Sequence, residues 1–335
     1  MADPGPSIDR AGEPAPARRA RTRYALLALQ LLVGAVVVAF AARALAGYWR
    51  DFQRQPLRVE PEWRWILASG AVFLATYAVL IESWRRALAA WDSSLPFVDS
   101  ARIWTVSSLG RYVPGKLWQV GAMGVMAQRR GVSPIAATGS AVLNTLVNLV
   151  VGLVIVLATG GALAERVVPG AARWSVALLV AGLAVVALLP LMVPRLVGLA
   201  ERLTGRTLGG GNLPARAIVV TVAGNAVAWA LYGVAFQLLA RGVLGHAPGS
   251  VTAWIAVYAL SYLFGYIMLF APAGVGFREL AMVAVMPAAG LATAGEAAVL
   301  AAASRIWLTV LEVVPGLLFL LRDTVRRHQS RNGPT

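Results

Sequence analysis

The sequence contains no cysteine and only two histidines. That excludes disulfides, thiolate metal sites and cysteine nucleophiles together, and it leaves no residues for a histidine-based triad or a zinc cluster. His246 is expected in a loop and His328 in the C-terminal tail. Charge is scarce too: 13% of the 335 residues are charged against 59% hydrophobic. A Walker A phosphate loop is lacking, because Gly115-Lys116 is followed by Leu117 rather than Ser or Thr. No catalytic residue, cofactor or metal is therefore expected.

What is present is apolar length. Mean hydropathy is +0.70, and a helix crossing the hydrocarbon core needs roughly 20 apolar residues. Tyr24–Ala46, Trp65–Ile81, Ile135–Ala158, Trp174–Val193, Ala217–Ala240, Val251–Phe270 and Ala297–Leu321 all approach that length. The fold class expected is an all-α polytopic membrane protein. The net charge of +15 would suggest nucleic acid on a soluble protein. Here the arginines flank apolar segments: Arg18, Arg19, Arg21 and Arg23 before the first, and Arg322, Arg326 and Arg327 after the last. That placement follows the positive-inside rule and puts both termini on the cytoplasmic side. No nucleic-acid partner is expected.

Residues 1–23 read as a disordered basic tail, 24–322 as a single membrane domain and 323–335 as a cytoplasmic tail. A cleaved signal peptide ending near Ala44-Leu45-Ala46 is the rival reading of the first run. That run is too long for an h-region of about 7–15 residues, so a retained helix is expected. Charges in the loops place 82–102 and 128–134 on one side. The loop 43–64, with five arginines, conflicts with the side that this scheme assigns to it.

Two segments, 103–127 and 270–290, are interrupted. The first contains "SSLGRYVPGKLWQVGAMGVMAQ" and must enter the bilayer and return, or cross as two short halves. The second contains "APAGVGFRELAMVAVM" and continues into an apolar run too short for an ordinary crossing. About eight crossings plus one or two broken or re-entrant elements are expected. Each interrupted segment sets proline and glycine beside a cation, the loose similarity expected of a weak inverted repeat with its binding site between the halves.

Charges at bilayer depth are functional candidates. Arg111, Pro114, Gly115 and Lys116 combine two cations with free backbone N–H groups at a half-helix start, a setting for phosphate or carboxylate. Snorkelling to the interface is the plainer account of the two cations. Arg278 and Glu279 open the second short run, and Arg305 and Glu312, seven apart on one helix face, are their expected partners. A structural ion-pair network is the alternative. Asn144 and Asn148 share a face and offer a polar pathway or, with Asn225, interhelical hydrogen bonds. Trp49, Trp63, Trp65, Trp84 and Trp174 stand at segment ends and read as interface anchors.

Three stretches carry a resemblance. "SLGRYVPGKLWQ", "RRGVSPIAATGSAVLNTLVNLVVGLVIVL" and "LFAPAGVGFRELAM" resemble the membrane region of lysylphosphatidylglycerol synthases and the stand-alone flippase-like proteins related to it. The matching elements are Arg111-Tyr-Val-Pro114-Gly115-Lys116, Arg129–Asn144 and Pro272-Ala-Gly274-Val-Gly276-Phe-Arg278-Glu279. The resemblance spans Tyr24 to Arg322. It departs from the family at Asn144, where an acidic residue is common, so no carboxylate role transfers there. No aminoacyl-transfer domain follows before Thr335. The resemblance thus implies movement of an anionic or glycosylated lipid between the leaflets of a bacterial inner membrane rather than its synthesis. Substrate binding would fall to Arg111, Pro114, Gly115, Lys116, Gly274, Gly276, Arg278 and Glu279. A lipid transferase, or a non-transporting scaffold with an envelope glycosyltransferase as partner, are the alternatives. The partner lipid would carry an anionic headgroup or a polyprenyl-phosphate sugar.

Overall fold

A computed structural model describes residues 60–89, 92–112, 117–161, 165, 170–205, 215–268 and 274–331. The expected N-terminal tail, the Tyr24–Ala46 crossing, most of the 43–64 loop, Pro114, Gly115, Lys116, Pro272 and the last residues of the C-terminal tail lie outside these. Nine helices occur among the described residues and no strand. They are α1 (Trp63–Ala89), α2 (Phe97–Ser108), α3 (Leu117–Gln128), α4 (Pro134–Thr159), α5 (Ala171–Thr204), α6 (Ala215–Leu244), α7 (Val251–Ile267), α8 (Phe277–Ala288) and α9 (Ala294–Arg331). The chain is an all-α, multi-pass membrane protein. α1, α4, α6 and α9 each contain a stretch long and apolar enough to cross a bilayer, and shorter apolar stretches fall at Val176–Leu188 and Val251–Ile267. Large apolar side chains such as Leu67, Leu146, Val180, Leu191 and Ile306 are exposed, as a lipid-facing surface requires.

The helix starts follow local chemistry. Ser133 accepts a hydrogen bond from the Ala136 N–H, with Pro134 at the first helical position of α4, and Ser250 caps α7 through the Ala253 N–H. α1 and α6 run antiparallel and pack along much of their length, the most extensive helix contact among the described residues. At one end the Glu62 N–H donates to the Gly242 carbonyl, and further along Ser69 Oγ donates to the Ala235 carbonyl at 2.7 Å. Near the other end Gly224 lies against Ser83, the small-residue contact that lets membrane helices approach closely. Asn225 links α6 to α4: its Nδ2 donates to Asn144 Oδ1 at 3.3 Å, and its Oδ1 accepts from Asn148 Nδ2 at 2.8 Å.

The two interrupted segments form hairpins that enter the bundle from opposite ends. α2 and α3 are joined at their open end by the Arg130–Asp99 ion pair. At their tip, Gly110 approaches the Gln119 backbone so closely that a Cβ would sit 3.1 Å from its nitrogen. This hairpin follows α1 and is rooted in a core of Trp84, Leu88, Ile103, Met123 and Ala137 at the Ala89 end. Trp84 is thus no interface anchor. It is fully buried, with Nε1 donating to Ser140 Oγ at 3.0 Å, while Trp63 and Trp174 are exposed. α7 and α8 form the second hairpin. Gly249 meets Leu291 at its open end, and Gly265 meets Arg278 near its tip. His246 at that open end reaches Glu296 at the start of α9, which places it at the Trp63 end of the bundle. Twelve-residue helices such as α2, α3 and α8 are about 18 Å long, well short of a hydrocarbon core about 30 Å thick. Both tips therefore end at depth.

Candidate functional site

The tips of the two hairpins close around one cavity of about 90 Å³, near the middle of the bundle. Arg111 and Gln119 enter it from the first hairpin, and Gly274 and Arg278 from the second. Tyr77, Arg305 and Glu312 enter from the spanning helices, the first and last from near the midpoints of α1 and α9.

Arg111 stands in the 3₁₀ turn Leu109–Tyr112 at the end of α2. Its Nη1 donates to Glu312 Oε1 at 2.6 Å, across 201 residues of sequence, and the Tyr77 hydroxyl donates to the same oxygen at 3.1 Å. Ser108 Oγ lies 3.4 Å from both Arg111 Nη2 and Gln119 Nε2, which ties the turn to the start of α3.

The second tip is shaped by two glycines. Gly274 and Gly276 adopt φ of +67° and +86°, where side-chain-bearing residues are strained. A Cβ on Gly274 would in addition lie 2.8 Å from the Gly265 carbonyl oxygen. Gly276 caps α8, and its N–H donates to Glu279 Oε2 at 2.7 Å. Glu279 thereby turns back onto its own helix end, with Arg305 Nη1 3.8 Å from its other oxygen. Arg278, one residue earlier, points into the cavity instead. It is only 7% exposed, and its guanidinium lies 4.7 Å from the Tyr258 ring centroid and 5.9 Å from that of Tyr262. Its Nε and Nη2 find no acceptor among the described residues.

Glu279 thus meets Arg305, the pairing expected from sequence. Glu312 is hydrogen-bonded by Arg111 and Tyr77. Asn144 and Asn148 lie away from the cavity lining, in the contact between α4 and α6. Gly276 and Glu279 support the site from behind rather than line it.

The tyrosines are the part that the sequence reading missed. Tyr77, Tyr232, Tyr258, Tyr262 and Tyr266 line the cavity, five of the eight tyrosines in the chain. The signal was available in "YALSYLFGY": Tyr258, Tyr262 and Tyr266 recur every four residues and share one helix face. They run from the middle of α7 to its C-terminal end, the end that stands at the tip of the hairpin and not at its open end. Tyr232 stacks on Tyr258 at 5.2 Å, and the stack continues to Phe73 and Trp229.

Counting formal charges, Arg111, Arg278 and Arg305 line the cavity against Glu312, and Glu279 stands behind it. Among the described residues the surplus is one positive charge. Together with the Arg278 N–H groups that find no acceptor among the described residues, and with the phenolic hydroxyls, this arrangement suits an anion with further hydroxyl-bearing groups. A larger recess of about 520 Å³ between α1 and α6 lacks that character. Its walls are mainly aliphatic, and Glu82 at its rim is already held by Arg85 and Arg86, both at 2.7 Å.

The family model for the lysylphosphatidylglycerol synthase TM region matches residues 27–316. The chain belongs to that family. The match includes both hairpins and every residue named in the cavity, so the site is built within the family's shared membrane region. No curated protein matches the chain. Membership places the protein with membrane proteins related to lipid modification or flipping.

Proposed function

We propose that this protein is a flippase-like transporter that moves an anionic or glycosylated lipid between the leaflets of the bacterial inner membrane, with both termini in the cytoplasm. The observation that carries the reading is Arg278: a buried cation with two N–H groups that find no acceptor among the described residues, facing a cavity at mid-depth between hairpins from opposite ends. Buried cations are retained where they meet a charge in transit or in binding. In this reading the lipid phosphate lies between Arg278 and Arg111, the tyrosine hydroxyls receive the polar part of the headgroup, and the acyl chains stay in the bilayer. Pro114, Gly115 and Lys116 are proposed to bind the headgroup with Arg111, while Gly274, Gly276 and Glu279 hold the second tip in shape.

The test is reconstitution of the purified protein in liposomes with labelled anionic phospholipids and polyprenyl-phosphate sugars, followed by loss of leaflet asymmetry. Wild type is expected to move one of these lipids, and Arg278→Ala and Arg111→Ala to abolish the movement while remaining folded. Normal movement by both variants would overturn the site. A labelled product made from a lipid substrate by the purified protein would replace transport with transfer.

A further inference from the structure

Tyrosines and arginines in one cavity pull towards ligands of opposite sign. Aromatic faces are the usual seat of an ammonium group, whereas guanidinium groups call for an anion. The geometry decides between them. The Tyr258 ring has the Arg278 guanidinium 4.7 Å from its centroid and Tyr232 stacked on it at 5.2 Å. The Tyr262 ring has the same guanidinium at 5.9 Å and is stacked with Tyr266. The protein's own cation therefore sits where a ligand's ammonium would go. We infer that this cavity selects anionic headgroups without an ammonium group, and that Arg278, seated on the tyrosines, sets the selection. The inference rests on the anion reading above and names the headgroup class: a phosphodiester whose other substituent is neutral and hydroxylated, such as glycerol or a sugar. It excludes ethanolamine, choline and aminoacyl esters.

Once out of water, an ammonium needs a carboxylate or an open aromatic face. Glu312 is the one carboxylate among the described residues lining the cavity, and it accepts from Arg111 at 2.6 Å and from Tyr77 at 3.1 Å. Glu279, behind the lining, accepts from the Gly276 N–H at 2.7 Å and lies 3.8 Å from Arg305. Drawing either carboxylate towards a ligand's ammonium would loosen it from an arginine. The stretches of the two tips outside the described residues bring no acid: 113–116 read Val-Pro-Gly-Lys and 269–273 read Leu-Phe-Ala-Pro-Ala.

A phosphodiester carries one negative charge. That charge offsets the surplus positive charge of the described residues, and its oxygens supply acceptors for Arg278 Nε and Nη2. A zwitterionic headgroup brings the same phosphate but restores the surplus, and its ammonium stands near Arg278, where like charges repel. Neutral hydroxyls on the headgroup instead meet phenolic hydroxyls, which both donate and accept.

The experiment uses the full chain in polyoxyethylene-ether micelles, which hold no phosphate, ammonium or sugar. Calorimetry near neutral pH, with empty micelles subtracted, compares dihexanoyl-phosphatidylglycerol with dihexanoyl-phosphatidylethanolamine. A second arm compares glycerophosphoglycerol with glycerophosphoethanolamine, the same diesters without acyl chains. The glycerol compound is expected to bind at least about tenfold more tightly than the ethanolamine one. That preference with the lipids alone ties the selection to a lipid headgroup, and the same preference with the soluble diesters ties it to the diester itself. Arg278→Met keeps the length of the side chain and removes its charge. In this variant the ratio of the two affinities is expected to fall by about tenfold or more, whereas a merely structural loss would weaken both ligands alike. Equal or tighter binding of the ethanolamine compounds to wild type would overturn the inference and leave the anion site standing. An unchanged ratio in folded Arg278→Met would overturn Arg278 as the cause of the selection. Absence of binding by all the compounds would overturn the anion reading as well. Should Arg278→Met fail to fold, the wild-type comparison decides the selection alone.

Discussion

Replacing Glu312 by leucine should destabilise the protein sharply, and replacing Arg111 as well should restore much of the loss. The two side chains meet at 2.6 Å and are 24% and 12% exposed, so the pair is screened from water on most sides. Two unit charges about 4 Å apart at an effective dielectric of about 20 attract by about 4 kcal/mol. Removing one partner of such a pair strands the other and costs about 3–5 kcal/mol. Loss of the Tyr77 hydrogen bond is worth about 1 kcal/mol within that range. The double variant Arg111→Leu/Glu312→Leu removes both members of the pair, and its effect should fall short of the sum of the singles by about 2–4 kcal/mol. Unfolding by dodecyl sulfate in mixed micelles, followed by tryptophan fluorescence, measures all four corners of the cycle. Additivity within about 0.5 kcal/mol would refute the pair as an energetic link between the first hairpin and α9.

Two further outcomes follow from close contacts and can be read in the same unfolding assay. A Cβ on Gly233 would lie 2.5 Å from the Ile255 Cα, so Gly233→Ala must push α6 and α7 apart at a cost of about 1–3 kcal/mol. Gly121→Ala, with nothing within 4 Å, should be neutral or stabilising by up to about 1 kcal/mol; equal effects at the two sites would refute the close approach of α6 to α7. Tyr258→Phe retains the ring 4.7 Å from the Arg278 guanidinium, whereas Tyr258→Leu removes it. The leucine variant should be less stable than the phenylalanine one by about 2 kcal/mol, and equal stability would show that the ring does not hold the cation.

The hairpins show how far the sequence could be read. Proline and glycine interrupt the backbone ladder locally, so 103–127 and 270–290 were recognisable as broken without any tertiary contact. The divergent roles of two adjacent ions were not recognisable. Arg278 and Glu279 are neighbours in sequence, yet one faces the cavity and the other turns back to cap its helix. Trp84 reads as an interface anchor by its place near a segment end, but the root of the first hairpin buries it against Ser140.

By itself the sequence determined the class of the protein, its apolar spans and its two interruptions. These follow from residue-by-residue transfer into hydrocarbon and from backbone hydrogen bonds that each segment must satisfy internally. Only the tertiary structure decided that the two hairpins enter from opposite ends and meet, that five tyrosines gather around three arginines, and that Arg111 finds Glu312 two hundred and one residues away. Charge complementarity says that a buried cation needs a partner, while helix packing alone chooses which of several carboxylates comes within reach.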